Sequence, residues 1–282
     1  MNKLKFFFGK NTNNELKKIS LLLTQVFNKE FDLDYLKWLY KDNPNGQAIT
    51  FNISKNKIIV GHYAVIPTKV KINNRIYKAA LSLNTAVDNE FRGKGFFKLM
   101  ADQTFKKCVK KKVKFIFGVS NYQSTKLFEK YFKFQNFGEL DIFVSIGKIK
   151  RKKVKEKFNV EWRSEDLKWR LKNPKENYII HNSFNEKVYV NKKLFKVANI
   201  NMGQFEKNLL IKSKNYEPNL GLFNIYIGLG QNFDKNFLNI KFPKFLKPSP
   251  LNFILKNLTK ENDSFKLKRE DIFFQLIDFD AF

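Results

Sequence analysis

Residues 89–100 read NEFRGKGFFKLM, and the fold turns on whether Arg92-Gly93-Lys94-Gly95 joins a strand to a helix. Before it, AALSLNTAV at 79–87 is apolar and strand-compatible; after it, FFKLMADQTFKKC at 96–108 repeats its apolar residues at helical spacing. A tight strand-to-helix turn is therefore predicted. Gly93 and Gly95 reach backbone angles closed to other residues and, having no side chains, leave amide N–H groups exposed. With the unpaired N–H groups of the first helical turn, they form a cradle for phosphate. The two glycines taken alone read equally well as a plain helix start, so the flanking chain has to decide.

Upstream, KLKFFFG reads as a strand, and NNELKKISLLLTQVF at 13–27 places Leu16, Ile19, Leu23 and Val26 on one helical face. FDLDYLKWLYKDNP at 31–44 is a second short helix stopped at Asn43-Pro44. Three strand-like runs follow, AITFNI, KIIVGHYAVIPTKVKI and RIYKAALSLNTAV, the last two joined by an Asn73-Asn74 turn. Downstream of the glycines, Phe97, Met100, Ala101, Phe105 and Cys108 take the core side of the helix, and Lys106, Lys107, Lys110 and Lys111 the solvent side. KFIFGVS at 114–120 is a further strand, QSTKLFEKYF at 123–132 a helix, and LDIFVSIGKI a closing strand. Alternation of helices with strands makes the class α/β or α+β.

The 282 residues leave room for two ordinary domains. Charge is lopsided, 54 Lys+Arg against 26 Asp+Glu, but only Arg75, Arg92, Arg151, Arg163, Arg170 and Arg269 are arginines. Bidentate phosphate and guanine recognition favours Arg, so nucleic-acid binding is not expected, and the excess of Lys, Asn, Ile and Phe reads as A/T-rich coding. A single cysteine, Cys108, excludes an intramolecular disulfide and a Cys-based zinc cage. His62 and His181 make no metal cluster, and each reads as a satisfied core or surface imidazole. No run approaches the length of a membrane span, so no membrane span and a cytoplasmic location are expected.

KIKRKKVKEKF at 148–158 is charged and without strong apolar period, marking a boundary. Beyond it a pattern recurs: Leu36-Lys37-Trp38 and Asn43-Pro44 reappear as Leu167-Lys168-Trp169 and Asn173-Pro174, each followed by an aliphatic strand. A duplication is expected, giving a domain over 1–147, a linker over 148–159 and a smaller domain over 160–282. The second copy has no counterpart of the glycine loop.

With these elements in place, the first half resembles the GNAT acyltransferase superfamily, whose members move an acyl group from coenzyme A, usually to an amine. Asn84-Thr85-Ala86-Val87 resembles the family's fourth strand and Arg92-Gly93-Lys94-Gly95 its pyrophosphate loop. Ser120-Asn121 resembles the end of its fifth strand, and Lys126-Leu127-Phe128-Glu129-Lys130 the helix that often carries Leu-Tyr. The resemblance covers about residues 1–147, with a degenerate echo over 160–282. It implies a mixed central sheet flanked by helices, a second degenerate GNAT-like lobe, and acetyl-CoA or another acyl-CoA as co-substrate held by Val87, Arg92, Gly93, Lys94, Gly95, Phe96 and Asn121. The ending FFQLIDFDAF also resembles the tails of two-lobed members associated with bacterial surface polysaccharides. Two departures stand out. Phe97 replaces the loop's last small residue and is expected to turn into the core. Phe128 replaces the Tyr that protonates the leaving thiolate in many members, leaving Tyr131 and Tyr122 as substitutes, with core packing the expected role of Tyr131.

The chemistry implied is attack of a neutral amine on the thioester carbonyl, with splayed fourth and fifth strands admitting the pantetheine arm and a backbone amide near Val87 polarising the carbonyl oxygen. An amine must lose its proton first, so a general base or a water chain is expected, with His62, Asp88 and Glu90 as the candidate bases. The positive charge favours an anionic small-molecule amine as acceptor, such as a nucleotide-linked aminosugar. A peptide or tRNA-linked amine fits too, and the rival class is a catalytically inactive acyl-CoA-binding module.

Overall fold

The computed structural model describes residues 3–146, 156–182, 187–195, 198–210, 222–230, 239–241, 251–259 and 266–279. In chain order the elements are β1 (Lys5–Phe8), α1 (Asn13–Phe27), α2 (Leu33–Tyr40), β2 (Ile49–Lys55), β3 (Ile58–Ile72), β4 (Arg75–Val87), α3 (Phe96–Lys110), β5 (Phe115–Ser120), α4 (Tyr122–Phe132), β6 (Gln135–Glu139) and β7 (Asp141–Ile146). Then come β8 (Phe158–Val160), α5 (Ser164–Arg170), β9 (Tyr178–Asn182), β10 (Lys187–Phe195), β11 (Ala198–Glu206), β12 (Phe223–Leu229), β13 (Asn239–Lys241), β14 (Asn252–Asn257) and β15 (Phe274–Gln275).

Local chemistry accounts for the first sheet. Two hairpins fold on two-residue turns, Asn56-Lys57 and Asn73-Asn74, all four with positive φ, the conformation that matches the twist of paired strands and that Asn tolerates well. α1 starts at Thr12, whose hydroxyl accepts from Glu15 N, and α2 at Asp32, whose carboxylate accepts from Tyr35 N. The apolar face expected for α1 is the observed one, with Leu16, Ile19 and Leu23 fully buried and Val26 packed on the core edge.

Strand order in the first sheet is β1-β2-β3-β4-β5-β14-β6, with β8 beside β3; in the second it is β13-β7-β12-β11-β10-β9, with β15 beside β12. Both share one pattern: an antiparallel meander, then a parallel step, β4 to β5 in one and β11 to β12 in the other, then an antiparallel pair. Each sheet takes one strand from across the boundary expected at 147. β7 pairs with β12 over six residues in the second sheet, and β14 pairs with β5 over six residues in the first. Of the segment expected as a linker over 148–159, Asn159 and Phe158 pair with Lys71 and Ile72 of β3, while residues 147–155 lie outside the described residues.

The recurring Leu-Lys-Trp and Asn-Pro landmarks meet in space. Trp38 and Trp169 stack with ring centroids 4.8 Å apart, Trp38 Nε1 donates to the Trp169 carbonyl at 2.9 Å, and Trp169 Nε1 donates to the Trp38 carbonyl at 3.0 Å. Both Asn-Pro turns are built alike: Asn43 Oδ1 accepts from Asn45 N, and Asn173 Oδ1 from Lys175 N. This reciprocity is what two copies related by a local two-fold axis would make. The buried Arg170 guanidinium lies over the rings of Trp38, Trp162 and Trp169, a desolvated cation–π setting.

Candidate active site

β4 and β5 are hydrogen-bonded only from Ala79 to Ser82 against Phe115 to Gly118. Beyond that the strands part, and Leu83 to Val87 on one side and Val119 to Asn121 on the other border a cleft of about 1000 Å³. A β-bulge helps to open it. His62 of β3 faces Ala86 and Ala64 faces Leu83, so Tyr63 stands opposite both Asn84 and Thr85, and Asn84 takes a left-handed φ of 53°. A bulge bends its strand away from the ladder, here away from β5.

The end of the cleft is the glycine loop. Asp88 caps a short turn over Asn89–Phe91 through Glu90 N, the chain extends at Arg92, and Gly93 (φ 76°) and Gly95 (φ 73°) turn it into α3. Gly95 is the N-cap and supplies no side-chain cap, so the first-turn N–H groups of α3 have no side-chain partner and remain available to an anion. A Cβ at Gly93 or Gly95 would meet nothing within 4 Å; both glycines face open space at the cleft rather than packed neighbours.

Orientation of the Val87 peptide follows from the ladder. Asp88 N donates to Val60 O at 2.9 Å, and backbone groups alternate sides along an antiparallel strand. Asp88 and Ala86 therefore turn to β3, and Val87 turns its N–H toward the cleft. Its carbonyl, on that same side, accepts from Arg92 Nε at 3.2 Å.

The other expected residues separate into two groups. Arg92, Gly93, Gly95, Phe96, Asn121 and Tyr131 line the cleft with Val87. Lys94 does not: its ammonium bends back to the Glu90 carbonyl at 3.1 Å and lies over the Phe91 ring. Asn121 caps α4, its Oδ1 accepting from Ser124 N at 2.9 Å, which leaves its NH₂ as a donor. Phe97 turns inward as expected, edge-on to Tyr63, Phe128 and Phe132. Phe128 is buried among Phe97, Phe132 and Phe134. Tyr131, expected in the core, is instead 43 % exposed at the cleft, while Tyr122 is 58 % exposed and lies outside the cleft lining.

The expected bases are not at the cleft. Asp88 and Glu90 are not among the residues lining the cleft, and the Asp88 carboxylate accepts from Gln25 Nε2 at 3.4 Å. His62 is fully buried between Tyr40 and Asn52, and burial drives its imidazole down to about 3. Among the described residues no carboxylate lines the cleft, whose charged lining residues are Lys29, Arg92 and Lys98. The reading of the sequence missed Phe27 and Phe31, which wall the cleft near its mouth, and Asn84. Phe27 and Phe31 lie in a helix end and loop whose position no local pattern fixes. For Asn84 a signal existed, a polar residue of left-handed tendency inside an apolar strand.

Residues 10–131 match the family model described as an acetyltransferase (GNAT) domain. No curated protein matches the chain by sequence. Among solved structures the fold is similar to a conserved protein of Enterococcus faecalis described as a probable N-acyltransferase (12 % identity, TM-score 0.63, 92 % of this chain and 73 % of that one). It is also similar to a GCN5-related N-acetyltransferase of Anabaena variabilis (9 %, TM-score 0.61, 90 % and 73 %). Eis1 of Mycobacterium abscessus gives 6 % identity and a TM-score of 0.60 over 91 % and 74 % of the two chains. At such identities these likenesses concern the fold, a mixed α/β arrangement of sheets flanked by helices, while the match over residues 10–131 is to a GNAT acetyltransferase domain and spans the cleft and the glycine loop.

Proposed function

We propose that the chain transfers an acyl group from coenzyme A to the amine of a small, anionically carried acceptor, such as a nucleotide-linked aminosugar. The observation that carries this is the cleft between the parted strands β4 and β5, closed at one end by uncapped amides and walled by cations without a carboxylate. In this reading the amides from Gly93 to Phe97 hold the pyrophosphate, Arg92 and Lys98 add charge, and the Asn121 NH₂ donates to the pantetheine arm. Val87 N–H receives the thioester oxygen as negative charge develops. The amine's lone pair attacks the carbonyl carbon, the C–N bond forms and the C–S bond breaks. The departing thiolate takes the Tyr131 hydroxyl proton, and the amine's surplus proton passes to water. Residues 160–282 shape the acceptor side and bind no coenzyme A of their own, and a cytoplasmic role in polysaccharide synthesis fits such an acceptor.

With no carboxylate or imidazole among the described residues that line the cleft, the pH dependence belongs to the acceptor. Only the neutral amine attacks, so kcat/KM should rise tenfold per pH unit and level off at the acceptor's own pKa, about 8 for an α-amino group. No inflection near the ordinary histidine value is expected, because His62 stays neutral down to about 3. A pH–rate profile checks this, and an inflection that disappeared in His62→Asn would count against it. The reading as a whole is tested by screening nucleotide-linked aminosugars, amino acids and polyamines for amine-dependent release of coenzyme A. Tight acetyl-CoA binding with no amine acylated would reduce the chain to a binding module, and acylation of a neutral polyol would keep the donor site and remove the amine.

A further inference from the structure

A line of buried hydrogen bonds leaves the cleft at Asn84 and crosses the sheet. Asn84 Nδ2 donates to the Tyr40 hydroxyl at 3.0 Å, Tyr40 meets His62 Nε2 at 2.9 Å, His62 Nδ1 meets Asn52 Oδ1 at 2.6 Å, and Asn52 Nδ2 donates to Glu15 Oε1 at 2.6 Å. Tyr40, His62 and Asn52 are fully buried. Gly9 makes the far end possible: a Cβ there would stand 2.3 Å from Glu15 Oε1 and 2.1 Å from Thr50 Oγ1.

The chain can run in one direction only. An ionised carboxylate accepts and never donates, so Asn52 must turn its NH₂ to Glu15 and its oxygen to His62. His62 Nδ1 is then the protonated nitrogen, and Nε2 is a bare acceptor that takes the Tyr40 proton. Burial, which disfavours the imidazolium, keeps the ring neutral, and its two hydrogen-bond partners set the tautomer. With its proton committed, Tyr40 can only accept from the next group, so Asn84 must present Nδ2 to it and turn Oδ1 away. That oxygen has no donor among the described residues, and Asn84 lines the cleft.

We propose that Asn84 Oδ1 receives the acceptor amine, and that Glu15 fixes the orientation of this carboxamide from the far side of the sheet. The inference rests on acyl transfer to an amine. An amine that donates one N–H to Oδ1 keeps its lone pair free for the thioester. A carboxylate in the same place would favour the ammonium form, which has no lone pair to attack with. Three neighbouring acceptors are engaged: the Ser82 hydroxyl pairs with Tyr63, the Ser120 hydroxyl with Thr125, and Asn121 Oδ1 caps α4. Asn84 would be a catalytic residue in this scheme, and Tyr40, His62, Asn52 and Glu15 positioning residues.

The test uses the full chain with acetyl-CoA as donor and two probes, a uridine diphosphate-linked aminosugar and hydroxylamine, following coenzyme A release alongside calorimetric acetyl-CoA binding. Asn84→Gly keeps the left-handed backbone and removes the amide. It should lower kcat/KM for the amine about tenfold, the worth of one lost hydrogen bond, with acetyl-CoA affinity unchanged. Tyr40→Phe unties the carboxamide, and Glu15→Gln lets the line run either way; each should cost about threefold in the same parameter without moving acetyl-CoA affinity. A merely structural role would lower thermal stability and acetyl-CoA affinity together and leave the amine term untouched. Wild-type amine kinetics in Asn84→Gly overturns the proposal. Loss in Asn84→Gly with full activity in both remote variants overturns the orienting line. A wild type that binds acetyl-CoA and acylates neither probe overturns the amine reading and this inference with it, and differs from the other outcomes in that the variants then match the wild type.

Discussion

A Gly95→Val variant is expected to fold and yet to bind acetyl-CoA at least about 100-fold more weakly than the wild type, the equivalent of about 3 kcal/mol. Space inside the protein is not the obstacle, since a Cβ at Gly95 meets no atom within 4 Å. Gly95 lines the cleft at the start of α3, and in the proposed donor site an anion has to come within hydrogen-bonding distance of the backbone there. The left-handed φ of 73° adds a cost of about 1–2 kcal/mol for a residue with a Cβ, which weakens the loop without unfolding the sheet. Lys94→Ala is the matched control: its ammonium is turned back on the Glu90 carbonyl, so acetyl-CoA affinity should change by no more than about threefold. Calorimetric titration of both variants, with thermal melts beside them, decides the matter. Equal affinity in Gly95→Val would remove the loop from the donor site.

The second large effect concerns the first sheet as a folding unit. A fragment ending near residue 150 lacks β14, which lies between β5 and β6. Phe253 on that strand is fully buried and packs against Phe117, Phe137, Phe158 and Phe274. The fragment should therefore show no cooperative thermal transition and no acetyl-CoA binding. In the full chain, Phe253→Ala should cost about 3–5 kcal/mol, as other buried Phe truncations do, read as a lower denaturant midpoint at unchanged slope. Circular dichroism of the fragment is the direct measurement. A fragment that folded and bound acetyl-CoA would mean that β6, or a strand of a second molecule, can take the place of β14 beside β5.

Local signals in the sequence carried far into the first sheet. The helices from α1 to α4 and the strands from β1 to β5 fall within a few residues of their expected places, because apolar period, Asn-Asn and Asn-Pro turns and the glycine loop are each decided by neighbours in the chain. Strand partnership was a different matter. LDIFVSIGKI reads as a strand, but nothing in it states that β7 pairs with β12 about 80 residues later; that choice depends on which apolar edges remain open in the folded chain. At the site, the phosphate end was legible and the proton chemistry was not. His62 reads as a base by residue type alone, and only its burial between Tyr40 and Asn52 takes it out of that role. Tyr131 reads as core by its place near Phe128 and Phe132, and one helical step puts it at the cleft instead.

The exchange of β7 and β14 sets an order on biosynthesis. β5 is complete at Ser120 and its partner begins at Asn252, so at about 5–20 residues per second a ribosome leaves the FIFGVS edge open for roughly 7–26 seconds. An unpaired apolar strand edge recruits other strands. The nascent chain must pass this interval with β5 held by β4 on one side and by nothing of its own on the other. Holdase binding to ribosome-bound chains should accordingly peak after residue 120 emerges and fall once β14 clears the exit tunnel.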